Sequence, residues 1–278
     1  MSNVPTITLN NGVEMPQLGF GVWQVADDEA ERAVGRALEA GYRSIDTAAA
    51  YENESGTGRA LAASGIPRDE LFVTTKLWNA DQGYDPALRA FDASLEKLGL
   101  DHVDLYLIHW PLPGVDKYLD TWRALERILA EGRARAIGVS NFQPAHLKRV
   151  IDLGGTVPAV NQIELHPQLA QSLPRAFHTD HHIATEAWSP LGQGKGLLDE
   201  PALTEIAEKH GKTAAQVVLR WHLQLGNVAI PKSVTPSRIV ENFDVFDFEL
   251  DRADLDAIAR LNTDTRLGPD PDTNNFLG

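Results

Sequence analysis

Short apolar runs rich in β-branched residues alternate along this chain with longer segments whose apolar positions recur at helical spacing, the mark of repeated strand–helix units. Eight runs read as strands: residues 18–22, 43–46, 71–76, 103–109, 134–140, 159–164, 183–188 and 228–233. Helical patterns fill the intervals at 28–40, 54–64, 86–98, 118–131, 144–152, 173–181, 213–225 and 236–243. Eight strands, each with a return helix, predict an α/β fold of the (β/α)8 TIM-barrel type. Two surplus segments, 201–210 and 252–261, are expected as extra helices outside the barrel. The apolar stretches 7–9 and 13–15 flank Asn11-Gly12, a pair suited to a type I′ turn, so an N-terminal β-hairpin is expected to plug the barrel floor. Gly41 and Gly132 follow the first and fourth helices, where a left-handed residue is cheap only for glycine. The tail from Asp264, interrupted by Pro269 and Pro271, reads as irregular.

Composition narrows the picture. A chain of 278 residues with 43% hydrophobic residues, no mid-chain linker and no internal repeat is expected to form one compact domain over 1–278. The net charge of -14, with no basic run, argues against nucleic acid or an anionic membrane as a partner. Absence of cysteine removes disulfides, thiolate nucleophiles and cysteine-ligated zinc, and fits the reducing cytoplasm. Residues 1–9 show no leader-like charged and apolar sequence, and no segment reaches the roughly 18 to 20 apolar residues that span a bilayer. His178, His181 and His182 are expected to decorate an exposed helix end, with no metal.

Polar residues at strand ends bring in chemistry, because barrels of this class build their sites at the C-terminal rim. Asp46, Lys76, His109, Ser140 with Asn141, and Lys232 with Ser233 end five predicted strands, and Gln162 lies on a sixth. Any one alone reads as a turn former or surface charge; their convergence on one opening points to a site. Two other patterns fail. Gly56-Thr57-Gly58 is followed by Leu61 where a dinucleotide fingerprint needs a small residue, and Ile206 stands where a P-loop ending at Gly211-Lys212-Thr213 needs glycine. No tyrosine is followed four residues later by lysine, which removes the short-chain dehydrogenase arrangement.

Three stretches carry a family resemblance: Gly41-Tyr42-Arg43-Ser44-Ile45-Asp46-Thr47-Ala48 with Tyr51, Asn53, Glu54 and Gly58; Gly132-Arg133 with Ile137-Gly138-Val139-Ser140-Asn141-Phe142; and Ile230-Pro231-Lys232-Ser233 with Arg238, Glu241 and Asn242. From the hairpin to about Phe246 the chain resembles an aldo-keto reductase. The run Trp188-Ser189-Pro190-Leu191-Gly192-Gln193-Gly194 resembles the short members of the 2,5-diketo-D-gluconic acid reductase type, Trp188 standing where the wider family commonly has tyrosine. Glu52 and Thr57 depart from the glycine and the aliphatic residue usual at those positions.

The resemblance implies NADPH-dependent reduction of small aldehydes, ketones or keto-sugars by a tetrad of Asp46, Tyr51, Lys76 and His109. In that arrangement Lys76 lowers the pKa of the Tyr51 phenol, Asp46 holds Lys76, His109 orients the carbonyl and Tyr51 gives the proton. It also implies that Ser140, Asn141 and Gln162 hold the nicotinamide carboxamide and that Trp188 stacks on the ring. Ser189, Leu191, Gly192 and Gln193 are expected along the cofactor, with 192–198 as a lid over the pyrophosphate. Lys232, Ser233 and Arg238 are expected at the adenosine 2′-phosphate, Glu241 and Asn242 near the adenine, and Val234 elsewhere on the cofactor. Trp23, Trp78 and Trp110 fall just after strands and are expected to line the substrate pocket, while Trp122 and Trp221 belong to the core. Members of the subgroup are commonly monomeric. The competing reading is a non-catalytic NADPH-binding regulatory subunit on the same barrel.

Overall fold

The computed structural model describes residues 4–278, so residues 1–3 of the stretch read above for a leader lie outside it. Strands β1 (Thr6–Thr8) and β2 (Glu14–Pro16) form an antiparallel hairpin. The barrel follows as β3 (Phe20–Gly21), α1 (Asp27–Ala40), β4 (Ser44–Asp46), α2 (Glu54–Ala63), β5 (Phe72–Leu77), α3 (Tyr84–Leu98), β6 (Val103–Ile108) and α4 (Tyr118–Ala130). Its second half is β7 (Ala134–Ser140), α5 (Pro144–Ile151), β8 (Val160–Glu164), α6 (Ser172–Asp180), β9 (Ala184–Trp188), α7 (Pro201–His210), α8 (Ala214–Gln224), β10 (Val228–Ala229) and α9 (Pro236–Phe243). Helix α10 (Arg252–Ala259) ends the regular structure. The two surplus helices of the sequence reading are α7 and α10.

Strands β3 to β10 pair in sequence order, all in parallel. A parallel bridge between Leu18 and Ala229, with Gly19 N–H donating to Ala229 O at 2.9 Å, joins the first strand to the last and closes the (β/α)8 barrel. The closure is tight enough to need glycine: a Cβ on Gly21 would lie 3.1 Å from Ile230 O. Alternation along each strand sends one set of side chains to the helices and the other inward. Phe72, Leu105, Leu107, Ala136, Val160 and Val228 form the lower interior with Leu9 and Met15 of the hairpin. Met15 is fully buried there, which is worth about 2 kcal/mol.

The hairpin is in place, but its turn differs from the expected type I′. Leu9 and Val13 are bonded across three residues, and of Asn10, Asn11 and Gly12 only Gly12 has positive φ, at 85°. Type I′ needs two such residues. Asn11 turns its side chain to Val13 N and to Arg135 O, and Asn10 reaches Pro158 O, so docking on the barrel sets the loop shape.

The glycines of the false dinucleotide pattern have a packing explanation. A Cβ on Gly56 would lie 1.9 Å from Asp27 O, and one on Gly58 2.3 Å from Leu98 O, so they let α2 approach α1 and α3 closely. His178 is a correction to the sequence reading: it is buried, between Asn161 Nδ2 and Thr185 Oγ1, both at 2.8 Å. Among the described residues no acid and histidine cluster suits a metal, and no helix is long and apolar enough to cross a membrane.

Candidate active site

Above the apolar floor the inward positions turn polar. Asp46, Lys76, His109, Ser140, Gln162, Glu164 and Glu186 stand at or near the C-terminal ends of β4 to β9, and all are buried. Lys76 Nζ donates to Asp46 Oδ1 at 2.6 Å and to Thr47 O at 2.9 Å, and lies 3.5 Å from the Tyr51 hydroxyl. Tyr51 comes from the turn Ala49–Tyr51, which ends at Glu52 with φ 55°, a left-handed residue that explains why glycine suits this position. Asn53 fixes the turn from below: it donates to Val22 O and Val25 O and accepts from Thr47 Oγ1, tying three loop segments together.

Burial opposes charge throughout this cluster. For Lys76 it pulls the pKa down, but the Asp46 carboxylate outweighs it and leaves the ammonium above its ordinary value. For Tyr51 burial is the largest influence and raises the phenol pKa, with Lys76 pulling against it. The expected net lowering is therefore corrected: Lys76 acts in the expected direction, but desolvation of the phenolate is stronger, so Tyr51 keeps its proton at neutral pH. His109 is held well below its usual value by burial and then by Lys76, so it is a neutral imidazole, and its Nδ1 has no partner among the described residues. Its ring meets Tyr51 and Trp78 edge-on at 5.6 and 5.4 Å.

Around the tetrad, Ser140 Oγ donates to Gln162 O, and Asn141, at φ 65°, donates to His109 O and Ser140 Oγ. Trp188 Nε1–H donates to Asn141 Oδ1 at 2.8 Å, which fixes the indole plane beside the cluster. Gln162 Nε2 donates to Asp46 Oδ2 and to Glu186 Oε2, both at 2.8 Å, leaving Oε1 without a hydrogen bond among the described residues.

The remaining predicted residues sort by position. Lys232 and Val234 in the segment before α9 and Arg238 in its first turn are exposed, and neither cation has an ion pair among the described residues. Ser233 is buried and accepts from Thr235 N. Glu241 already accepts from Thr213 Oγ1, and Asn242 is buried beneath it. Ser189 and Gln193 are joined by a 2.9 Å hydrogen bond, Leu191 is half-buried and Gly192 is buried. Within the expected lid only 193–196 is exposed, because Leu197 is packed into the core. Trp23 is exposed, Trp78 and Trp110 are half-buried, and Trp122 and Trp221 are core residues as expected.

Two features escaped the sequence reading. Glu186 sits two residues before Trp188 on the same strand face, without a motif that marks it in the sequence. The C-terminal tail, irregular as expected, crosses the mouth. Glu164 accepts from Leu267 N and Gly268 N at 2.6 and 2.9 Å and from His166 at 3.0 Å, Asn79 donates to Phe276 O, and the Phe276 ring lies 6.4 Å from Trp78.

Comparison with known proteins places the chain in context. The aldo/keto reductase family model matches residues 17–263. An aldo-keto reductase of Mycolicibacterium smegmatis is 61% identical over 274 residues, 99% of each chain. The methylglyoxal reductase DkgA of Escherichia coli is 54% identical over 273 residues, 98% of each chain. Among solved structures Gox0644, a variant of which is in complex with NADPH, matches with TM-score 0.94 at 48% identity over 99% of this chain and 100% of that one.

Proposed function

The chain belongs to the aldo/keto reductase family, and from that premise we propose that it reduces small aldehydes, ketones, α-dicarbonyls or keto-sugars to alcohols with NADPH, Tyr51 being the general acid. The observation that carries the reading is the line Asp46, Lys76, Tyr51, with steps of 2.6 and 3.5 Å, beside a neutral His109 at the barrel mouth. The name of the Escherichia coli relative supports an α-dicarbonyl among the substrates.

The residues present fit a phosphorylated nicotinamide dinucleotide. Lys232 just before α9 and Arg238 in its first turn, unpaired among the described residues, suit a 2′-phosphate dianion, and the first N–H groups of a helix add to that preference. At the other end Gln162 Oε1 is an open acceptor for a carboxamide N–H, with Ser140 and Asn141 beside it and Trp188 as a stacking face. Ser189, Leu191, Gly192 and Gln193 would flank the pyrophosphate, Ser233 the 2′-phosphate, Glu241 and Asn242 the adenine, and Val234 another part of the cofactor. When bound, NADPH supplies the hydride, which no side chain can.

The protein supplies the rest. Tyr51 holds a proton at its hydroxyl and releases it to the developing alkoxide, with Lys76 stabilising the phenolate left behind. His109, neutral, offers Nε2 to orient the carbonyl oxygen. Asp46 keeps Lys76 charged and in place. Trp23, Trp78 and Trp110 supply an apolar wall that admits small carbonyls. This reading includes a single barrel domain over 1–278 that acts as a cytoplasmic monomer. The test is oxidation of NADPH against a panel of aldehydes, α-dicarbonyls and keto-sugars, compared by kcat/KM. Turnover that depends on the carbonyl supports the enzyme; tight NADPH binding without turnover on any of them supports the regulatory subunit instead.

A further inference from the structure

Glu186 has no role in the chemistry above, yet it is 1% exposed and stands directly below the site. Strands β8 and β9 place it opposite Gln162, so both side chains point inward from paired positions. The Gln162 amide gives one N–H to Asp46 Oδ2 and the other to Glu186 Oε2. An amide held by one carboxylate has its nitrogen end fixed but remains free to swing about that bond. Held by two, its plane is fixed as well, and its oxygen has one direction left.

We propose that Glu186 is a positioning residue: with Asp46 it locks the plane of the Gln162 amide so that Oε1 faces the barrel mouth, ready to accept from a carboxamide. The inference rests on the NADPH reading above and extends it to a residue behind the binding surface. The groups around Glu186 support it. Asp46 from β4 and Lys76 from β5 act on it through space, and Gln162 from β8 touches it. Burial, followed by the Asp46 charge, pushes the Glu186 carboxyl up to about 8, so at pH 7 it is a neutral acid. Among the described residues no donor reaches its Oε1 to stabilise a charge there, which favours the protonated form. A neutral acid accepts a hydrogen bond as a glutamine side chain does, and adds no second negative charge beside Asp46.

That equivalence supplies the test. NADPH affinity is measured by quenching of tryptophan fluorescence, alongside kcat, for wild type, Glu186→Gln and Glu186→Met, with and without Gln162→Ala. Glu186→Gln is expected to bind NADPH within about twofold of wild type. Glu186→Met is expected to weaken binding about five- to tenfold, the worth of one buried hydrogen bond, with kcat changed by less than about twofold. In the Gln162→Ala background Glu186→Met is expected to add nothing, because the group it positions is gone. The proposal is overturned if Glu186→Met binds as wild type does, if Glu186→Gln is equally impaired, or if the losses add in the double variant. Should Glu186→Met not fold, the wild type itself decides: side-chain amide hydrogens of Gln162 that exchange slowly with water support a doubly held amide, and fast exchange overturns it. Failure of wild type to bind NADPH would overturn the functional reading instead, and is seen before any variant is made.

Discussion

At the floor of the barrel the inward positions are Phe72, Leu105, Ala136, Val160 and Ala184; four residues further along the same strands they are Lys76, His109, Ser140, Glu164 and Trp188. The floor is apolar and sealed by Leu9 and Met15. The mouth keeps a fully buried ammonium, and an imidazole nitrogen and a carboxyl oxygen that have no partner among the described residues. Burying such groups costs stability, and the floor, built from the same strands, offsets that cost. Substitutions at the two ends should therefore separate folding from function.

The largest effect is expected at the mouth. Lys76→Met should lower kcat about a thousandfold, the scale of a lost acid–base partner, while circular dichroism shows a folded protein. A fall in kcat of less than about tenfold would mean that the buried ammonium does not serve the chemistry at the mouth. The floor should give the opposite result. Met15→Ala should cost about 3 kcal/mol in chemical unfolding, through lost burial and the cavity left behind, with kcat/KM at 25 °C unchanged.

Acid should expose a third contrast, between imidazoles of one kind in two places. His178 and His222 are buried in the outer shell, and burial brings their pKa values down to about 4 and about 3. Each folded value lies below the ordinary one, so the stability it contributes is complete above about pH 6.5 and is lost as pH falls toward the folded value. Each should cost about 2 kcal/mol by pH 5, read as a fall in the unfolding midpoint that His178→Asn diminishes. His109 is neutral for the same reason, with Lys76 adding to the effect of burial, so carbonyl reduction should show no imidazole titration between pH 6 and 8. The smallest effect sharpens the mouth alone: Arg238→Ala should weaken NADPH binding about tenfold and leave NADH binding within about twofold, measured by equilibrium titration.

The difference between the two ends also explains what the sequence could reveal. All eight strands and the helices between them were legible because the inward and outward periods repeat locally, and Asp46, Lys76 and His109 were legible because strand ends are where such folds place polar groups. Tyr51 and the residues of α9 were legible only through the family resemblance. What escaped depended on distant contacts. The hairpin turn is shaped by Arg135 and Pro158, far along the chain. His178 on α6 is held by Asn161 and Thr185 on two strands. The phenol of Tyr51 is governed by desolvation, which no spacing in a sequence encodes. Glu164 and Glu186 show no motif of their own; an acidic residue at an inward strand position, flanked by apolar neighbours, was the one signal available for each.

The functional reading rests on Tyr51 delivering the proton at a mouth otherwise able to bind NADPH. Single-turnover oxidation of bound NADPH by methylglyoxal, compared between wild type and Tyr51→Phe, addresses it most directly. The account predicts unchanged NADPH affinity and a rate at least about a thousandfold slower in the variant. A Tyr51→Phe protein that oxidises its bound NADPH at close to the wild-type rate would contradict it.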